Sequence, residues 1–189
     1  ISTDSILAIT NSYLSLARGS KNLKQEAIAL SYLGLVAQQS GDLERSVTIH
    51  KEAIKIAEDN DYPIVKINLL ITTSGIWYRF NEIDSALYYV DEAIALAKIG
   101  NFKKEYARAL QEKASLLVSN GIYGPAVQHY RRAAKTYTEI GDLKGEALIQ
   151  LNIGQIYYDN EEFDKAAKYF TMSDAYFKET NEPFSIGRI

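Results

Sequence analysis

The 189-residue chain has no cysteine, which excludes disulfides, thiol catalysis and cysteine-ligated zinc together. It has only two histidines, His50 and His129. They stand far apart in sequence with no third ligand at metal spacing, which argues against a metal site and a nucleophilic triad. Three prolines and eleven glycines are too few for a disordered or linker-like chain. No apolar run approaches the roughly 18 residues of a membrane span. The net charge of −3 gives no basic footprint for nucleic acid. No glycine-rich phosphate loop is present. No signal peptide is visible, although the chain starts at Ile1 without methionine, which leaves a cleaved leader open.

What the chain does have is repetition. Ala166, Phe170, Ser173 and Phe177 fall at i, i+4, i+7 and i+11, one face of a helix. The same face recurs as Ala126, Tyr130, Ala133 and Tyr137, as Ala86, Val90, Ala93 and Ala97, and as Ser46, His50, Ala53 and Ala57. The anchors 46, 86, 126 and 166 are spaced by 40 without a slip. A preceding helix keeps the same step: Gly34, Ser74, Ala114 and Gly154 form a column of small residues, followed three positions later by Ala37, Trp77, Leu117 and Tyr157. Small residues let two helices approach closely, and the larger one fills the groove beside them.

This pattern resembles the tetratricopeptide family, with L-G-x-x-Y in the first helix and A-x-x-x-F in the second. The matching residues are Leu33-Gly34 and Ala37, Ile153-Gly154 and Tyr157, Ala126 with Tyr130, and Ala166 with Phe170. Two features depart from the usual form. The step is 40 rather than 34, and the proline ending the second helix is replaced by Glu58, Lys98, Thr138 and Lys178. Both imply longer helices, similar to the longer-repeat branch of spindle-orientation adaptors and bacterial regulators and sensor kinases. The resemblance implies an all-α, right-handed solenoid of antiparallel helix pairs.

The expected organisation is a lone second helix over 1–21, repeats at 22–61, 62–101, 102–141 and 142–181, and the start of a further repeat at 182–189. On this reading the chain is cut mid-repeat at both ends and is a fragment of a longer array. Exposed apolar end faces then predict end-to-end self-association, or reordering of 182–189 over the last pair. A short helical turn is expected after Pro183. Ser40-Gly41-Asp42, Asn81-Glu82, Asn120–Pro125 and Asp159-Asn160 read as turns, with Pro125 suited to the first turn of the helix that follows, Gly19 as a helix stop, and Tyr62-Pro63 as a break that presets the next helix.

His50 shares the column of Val90, Tyr130 and Phe170 and reads as a packed core imidazole; His129 reads as a flank residue. Asp159, Glu161, Glu162 and Asp164 read as solvated turn and helix-start charges. No residue constellation supports catalysis, a metal or a cofactor, so the chain is expected not to be an enzyme. Residues 102–141 carry seven basic and three acidic residues, and 142–181 carry four and eight. Arg131, Arg132 and Lys135 read as a solvated outer face.

The family resemblance implies that first helices line a concave, partner-binding face. On that face stand Tyr32, Gln38, Asn68, Thr72, Tyr78, Arg79, Arg108, Gln111, Glu112, Ser115, Asn152, Gln155 and Tyr158. The column in which several relatives use asparagine reads Leu35, Gly75, Ser115 and Gln155, a departure from their peptide clamps. The implied function is a protein- or peptide-binding scaffold. The alternative is a ligand- or peptide-sensing array of a bacterial histidine kinase or DNA-binding regulator. Cytoplasm is the default location, and periplasm follows if the chain is the sensor region of a membrane-bound regulator. Arginines and tyrosines suit an extended peptide anchored by an acidic side chain or a C-terminal carboxylate. Internal pairing of Arg108 with Glu112, four residues on, is an equal reading. Neither nucleic acid binding nor membrane insertion is expected of this chain.

Overall fold

The structure, a computed structural model, describes residues 3–180. Among them lie nine α-helices: α1 (Thr3–Gly19), α2 (Leu23–Gln39), α3 (Leu43–Asp59), α4 (Pro63–Arg79), α5 (Ile83–Ile99), α6 (Lys103–Ser119), α7 (Tyr123–Glu139), α8 (Leu143–Asp159) and α9 (Phe163–Thr180). The turn after Pro183 and the tail over 182–189 lie outside the described residues. The first eight helices are each 17 residues long. The starts of all nine, at 3, 23, 43, 63, 83, 103, 123, 143 and 163, advance by 20.

A recurring hydrogen-bonded link sets that step. After each of the first eight helices one residue has positive φ: Lys21, Gly41, Asp61, Asn81, Asn101, Gly121, Gly141 and Glu161. The amide of the next residue then reaches back five positions. Asn22 N–H donates to the Ala17 carbonyl, Asp42 to Ala37, Tyr62 to Ala57, Glu82 to Trp77, Phe102 to Ala97, Ile122 to Leu117, Asp142 to Tyr137 and Glu162 to Tyr157, all at 2.8–3.1 Å. The left-handed residue donates three positions back, as Lys21 N–H does to Arg18. This is the Schellman motif, and it satisfies carbonyls that a helix end leaves open. The residue that closes it also opens the next helix. Asn22, Asp42 and Asp142 accept through their side chains from Gln25, Arg45 and Gly145 N–H at 3.1, 3.1 and 2.8 Å. Tyr62 precedes Pro63 at the first helical position, where its missing N–H costs nothing. Pro125 lies in the first turn of α7, as its sequence implies, and the turn over Asn120–Pro125 is shorter than expected because Gly124 lies there too.

The chain divides into two compact units, 1–105 and 106–189. In the first unit α2 packs on α3 and α4 on α5, while α1 lies against α2 and α3 against α4. Its core includes Leu14, Ala27, Leu30, Ile49, Ala53 and Leu69. The small-residue contacts are tight. A Cβ on Gly34 would come within 2.3 Å of the His50 ring. Ser46 Oγ donates to the Gly34 carbonyl at 2.7 Å, and Ser74 Oγ to the Ala86 carbonyl at 2.8 Å. His50 is fully buried, its Nδ1 2.9 Å from the Ser46 carbonyl. Burial depresses its pKa, so the ring is held neutral.

Two charge triads tie α1 to α3 and α3 to α5 in this unit. Arg18 pairs with Glu26 at 2.8 Å and with Glu52 at 3.3 Å. Lys66 pairs with Glu58 at 3.0 Å and with Glu92 at 3.2 Å. Positions 18, 26 and 52 recur 40 residues on as 58, 66 and 92.

In the second unit α7 packs on α8 and α8 on α9. Ala126, Ala133 and Ala166 are buried, as are Tyr130 and Tyr137. A Cβ on Gly154 would meet the Phe170 ring at 2.7 Å.

Two substitution experiments test these local rules. Gly34→Ala forces a methyl into the buried His50 ring and should cost about 1–3 kcal/mol, whereas Gly124→Ala meets nothing within 4 Å and should stabilise by about 0.4–1 kcal/mol. Equal melting temperatures for the two variants would show that the helix contact is not as described. Glu161→Gly should raise the melting temperature, because a left-handed non-glycine residue costs about 1–2 kcal/mol and the added chain entropy only about 0.5–1 kcal/mol.

Candidate functional site

The polar residues expected on the first helices fall into two sets, one in each unit. In the second unit they form a connected network. Ser115 Oγ lies 3.1 Å from the Gln111 carbonyl, to which it donates, and 2.9 Å from the Tyr130 hydroxyl. With the serine proton committed to the carbonyl, the phenol donates to the serine. The Asn152 side chain, one helix pair on, also hydrogen-bonds the Tyr130 phenol. Tyr137 Oη donates to Gln111 Oε1 at 3.3 Å. Three helices, α6, α7 and α8, thereby fix Gln111, Ser115 and Asn152 through two tyrosines.

Glu112 stands beside this network. Burial pushes its carboxyl above the usual carboxylate range, and the Arg108 charge opposes the shift. Burial also raises the Tyr130 phenol, with the Glu112 charge adding to it and the Ser115 and Asn152 bonds opposing. Gln155 is engaged differently: its amide donates to Asp159 Oδ1 at 2.7 Å along α8. Arg108 and Tyr158 are exposed, Tyr158 with its ring edge on Phe163 at a centroid distance of 5.6 Å.

In the first unit, Tyr32, Tyr78 and Arg79 are exposed, and Gln38, Asn68 and Thr72 are half-buried. Tyr32 lies 6.4 Å from the Tyr13 ring, centroid to centroid. Thr72 Oγ1 donates to the Asn68 carbonyl at 3.0 Å. Arg79 is the last residue of α4. Arg131 and Arg132, read from sequence as a solvated face, are exposed but not simply solvated. Arg131 donates to the Tyr157 and Tyr169 hydroxyls at 3.3 and 3.1 Å, and Arg132 to that of Tyr106.

Sequence reasoning treated Tyr130 as core alone and missed its hydroxyl as the hub of the network. The signal was present in the polar pair Ser115 and Asn152, which stand beside the small-residue column. The triads on Arg18 and Lys66 were also missed, because the charge at each position changes sign between copies. Among the described residues no cluster could hold a metal ion, and no helix is long and apolar enough to cross a membrane.

The sequence profile of the tetratricopeptide repeat matches residues 147–171, which span α8 and the start of α9. Solved structures share the fold. BtubC from P. vanneervenii superposes with a TM-score of 0.84 at 16% identity, over 100% of this chain and 77% of that one.

This is a tetratricopeptide-repeat fold.

Aspartyl phosphate phosphatase F from Bacillus subtilis has the same fold, with a TM-score of 0.77 at 17% identity, over 85% of this chain and 42% of its own. So has the Rap conjugation gene regulator of plasmid pLS20, solved in complex with the Phr* peptide. Its TM-score is 0.73 at 12% identity, over 95% of this chain and 50% of its own. No curated protein matches the sequence. The tetratricopeptide fold explains why the small columns, the helix pairs and the half-exposed first-helix residues recur together.

The raised Glu112 carboxyl generates a pH test. Its folded value lies above its unfolded one, so the protonated form favours folding. That contribution is fully present below the ordinary carboxylate value and is lost as pH rises through the folded value. Glu112→Gln should therefore raise the melting temperature at neutral pH and leave it unchanged below about pH 4, where the parent is also neutral. An equal shift at both pH values, measured by calorimetry, would contradict the burial of this charge.

Proposed function

We propose that the chain is a non-catalytic scaffold that binds a protein or an extended peptide on the exposed side of its first helices. The supporting observation is the division of labour around α6 and α8. Gln111, Ser115 and Asn152 are held by Tyr130 and Tyr137, while Arg108 and Tyr158 remain exposed beside them. A network that is already hydrogen-bonded needs little further ordering when a partner arrives. Exposed tyrosine offers contact area at low entropic cost, and arginine pairs bidentately with carboxylates. The first unit offers the same chemistry in Tyr32, Tyr78 and Arg79. A carboxylate, from an acidic side chain or a chain terminus, is the anchor these groups suit. That a regulator of the same fold was solved with a peptide adds support to a peptide partner.

The purified chain serves as bait to obtain a partner, whose affinity is then measured against variants. Arg79→Ala, Arg108→Ala and Tyr158→Ala should each leave melting nearly unchanged, and at least one of the arginine variants should weaken binding by about tenfold or more. If Arg108 serves only Glu112, its removal leaves affinity intact and lowers stability by a few tenths of a kcal/mol. Unchanged affinity in all three variants would remove this face from the reading.

A further inference from the structure

Each unit carries a groove between alternate helices. In the first unit the groove between α3 and α5, floored by α4, encloses about 530 Å³ lined by Lys51, Lys55, Lys66, Leu70, Tyr89 and Glu92 among others. Its counterpart in the second unit lies between α7 and α9, floored by α8, and encloses about 270 Å³. The two are built from the same positions, 80 residues apart: Lys51 corresponds to Arg131, Lys55 to Lys135, Lys66 to Glu146, Leu70 to Gln150, Tyr89 to Tyr169 and Glu92 to Met172.

Their charge states differ. In each triad of the first unit a single cation is held by two carboxylates: Arg18 by Glu26 and Glu52, Lys66 by Glu58 and Glu92. The corresponding positions in the second unit are Thr138, Glu146 and Met172. One carboxylate is kept and the cation is missing. Glu146 is half-buried, and its carboxylate makes no ion pair or hydrogen bond among the described residues. One turn further along α8, the apolar floor residue Leu70 is replaced by Gln150. That side chain is 7% exposed, and its Oε1 is buried with no hydrogen-bond partner. A buried acceptor left unmade is costly, so such groups are normally met by a partner.

We propose that this cavity is a docking site for an arginine side chain of a partner protein, whose guanidinium pairs with Glu146 and, with a turn of the Gln150 amide that uncovers its oxygen, donates to Gln150 Oε1. Glu146 and Gln150 both line the cavity and both carry acceptor oxygens, and the guanidinium is a planar fork of donors with no acceptor, able to serve two acceptors at once. Ile153 and Met172 line the same cavity and contact its methylene stem. The rim sets the flanking sequence. Arg131 is turned to the Tyr157 and Tyr169 hydroxyls, while Lys135 and Lys168 are exposed and have no ion pair among the described residues. A basic segment is repelled there; an arginine flanked by acidic residues matches both floor and rim. The site does not rest on the first-helix reading: at about 100° per residue, Glu146 and Gln150 face the opposite side of α8 from Leu148, Asn152 and Gln155.

The test uses the whole chain, labelled with ¹⁵N and with ¹³C methyls, titrated with acetyl-Asp-Arg-Asp-amide and with the same peptide carrying citrulline, the neutral isostere of arginine. The arginine peptide should shift the Gln150 side-chain amide and the Met172 methyl, and should bind at least about tenfold more tightly than the citrulline peptide. Glu146→Gln should abolish that preference, and Glu58→Gln, at the self-paired groove, should leave it intact. Equal binding of the two peptides, an unchanged preference in Glu146→Gln, or no shift at Gln150 up to about 10 mM peptide would each overturn the proposal. The last result is also what Lys135 or Lys168 turning inward to Glu146 would give.

Discussion

Everything regular in this chain depends on one hydrogen bond, made eight times, from the residue after a left-handed turn to the carbonyl five positions earlier. It stops one helix and starts the next with no linker between them. Because the closing residue is also the next N-cap position, little slack is left in the loop, and the helix length is fixed by the distance between successive links. Columns of small residues can then meet at the same height in every pair. A link that slipped by one residue would rotate the following helix by about 100° and turn its apolar stripe away from its neighbour. Five of the eight left-handed positions are not glycine. Lys21, Asp61, Asn81, Asn101 and Glu161 hold that conformation because the flanking bonds and the packed helices over-determine it.

Within that frame, side-chain size is traded across the helix pair. Glycine at positions 34 and 154 makes room for the rings of His50 and Phe170. Where position 74 is serine, its hydroxyl takes the Ala86 carbonyl and the facing column holds the smaller Val90. Position 114 is alanine, and the facing Tyr130 sends its hydroxyl to Ser115 instead. One architectural contact thus yields a sealed core in one pair and a polar network in another. The candidate site is a variant of the packing rule rather than an addition to it.

That distinction governs how much was readable beforehand. The 40-residue register, the helix pairs and the buried columns were legible because each recurs with the same chemistry. Gly34, Ser74, Ala114 and Gly154 are all small, and Ala86, Ala126 and Ala166 are identical. The individual residues of the first-helix face could be named by register alone, but not which of them were already engaged: Gln155 with Asp159, and Gln111 with Tyr137, are choices made in space. The triads escaped because a position that is Glu26 in one copy is Lys66 in the next and Glu146 in another. Averaged over copies such a position looks like an ordinary surface site, and only the charges 8 residues before and 26 after it, read together with its own, reveal the triad. The turn at Asn120–Pro125 is shorter than its glycines suggest, because Gly124 is tolerated in the first turn of α7, where Pro125 also stands as its sequence implies.

The uniform spacing of the links also bears on how such a chain can be altered. Each of the eight junctions presents the same backbone geometry, so a forty-residue segment cut at any junction ends as it began. Duplicating or excising such a segment preserves the phase of every remaining helix, whereas adding a single residue inside a helix does not. The chain is therefore robust to changes of copy number and brittle to small insertions, the reverse of a protein whose elements are joined by long loops.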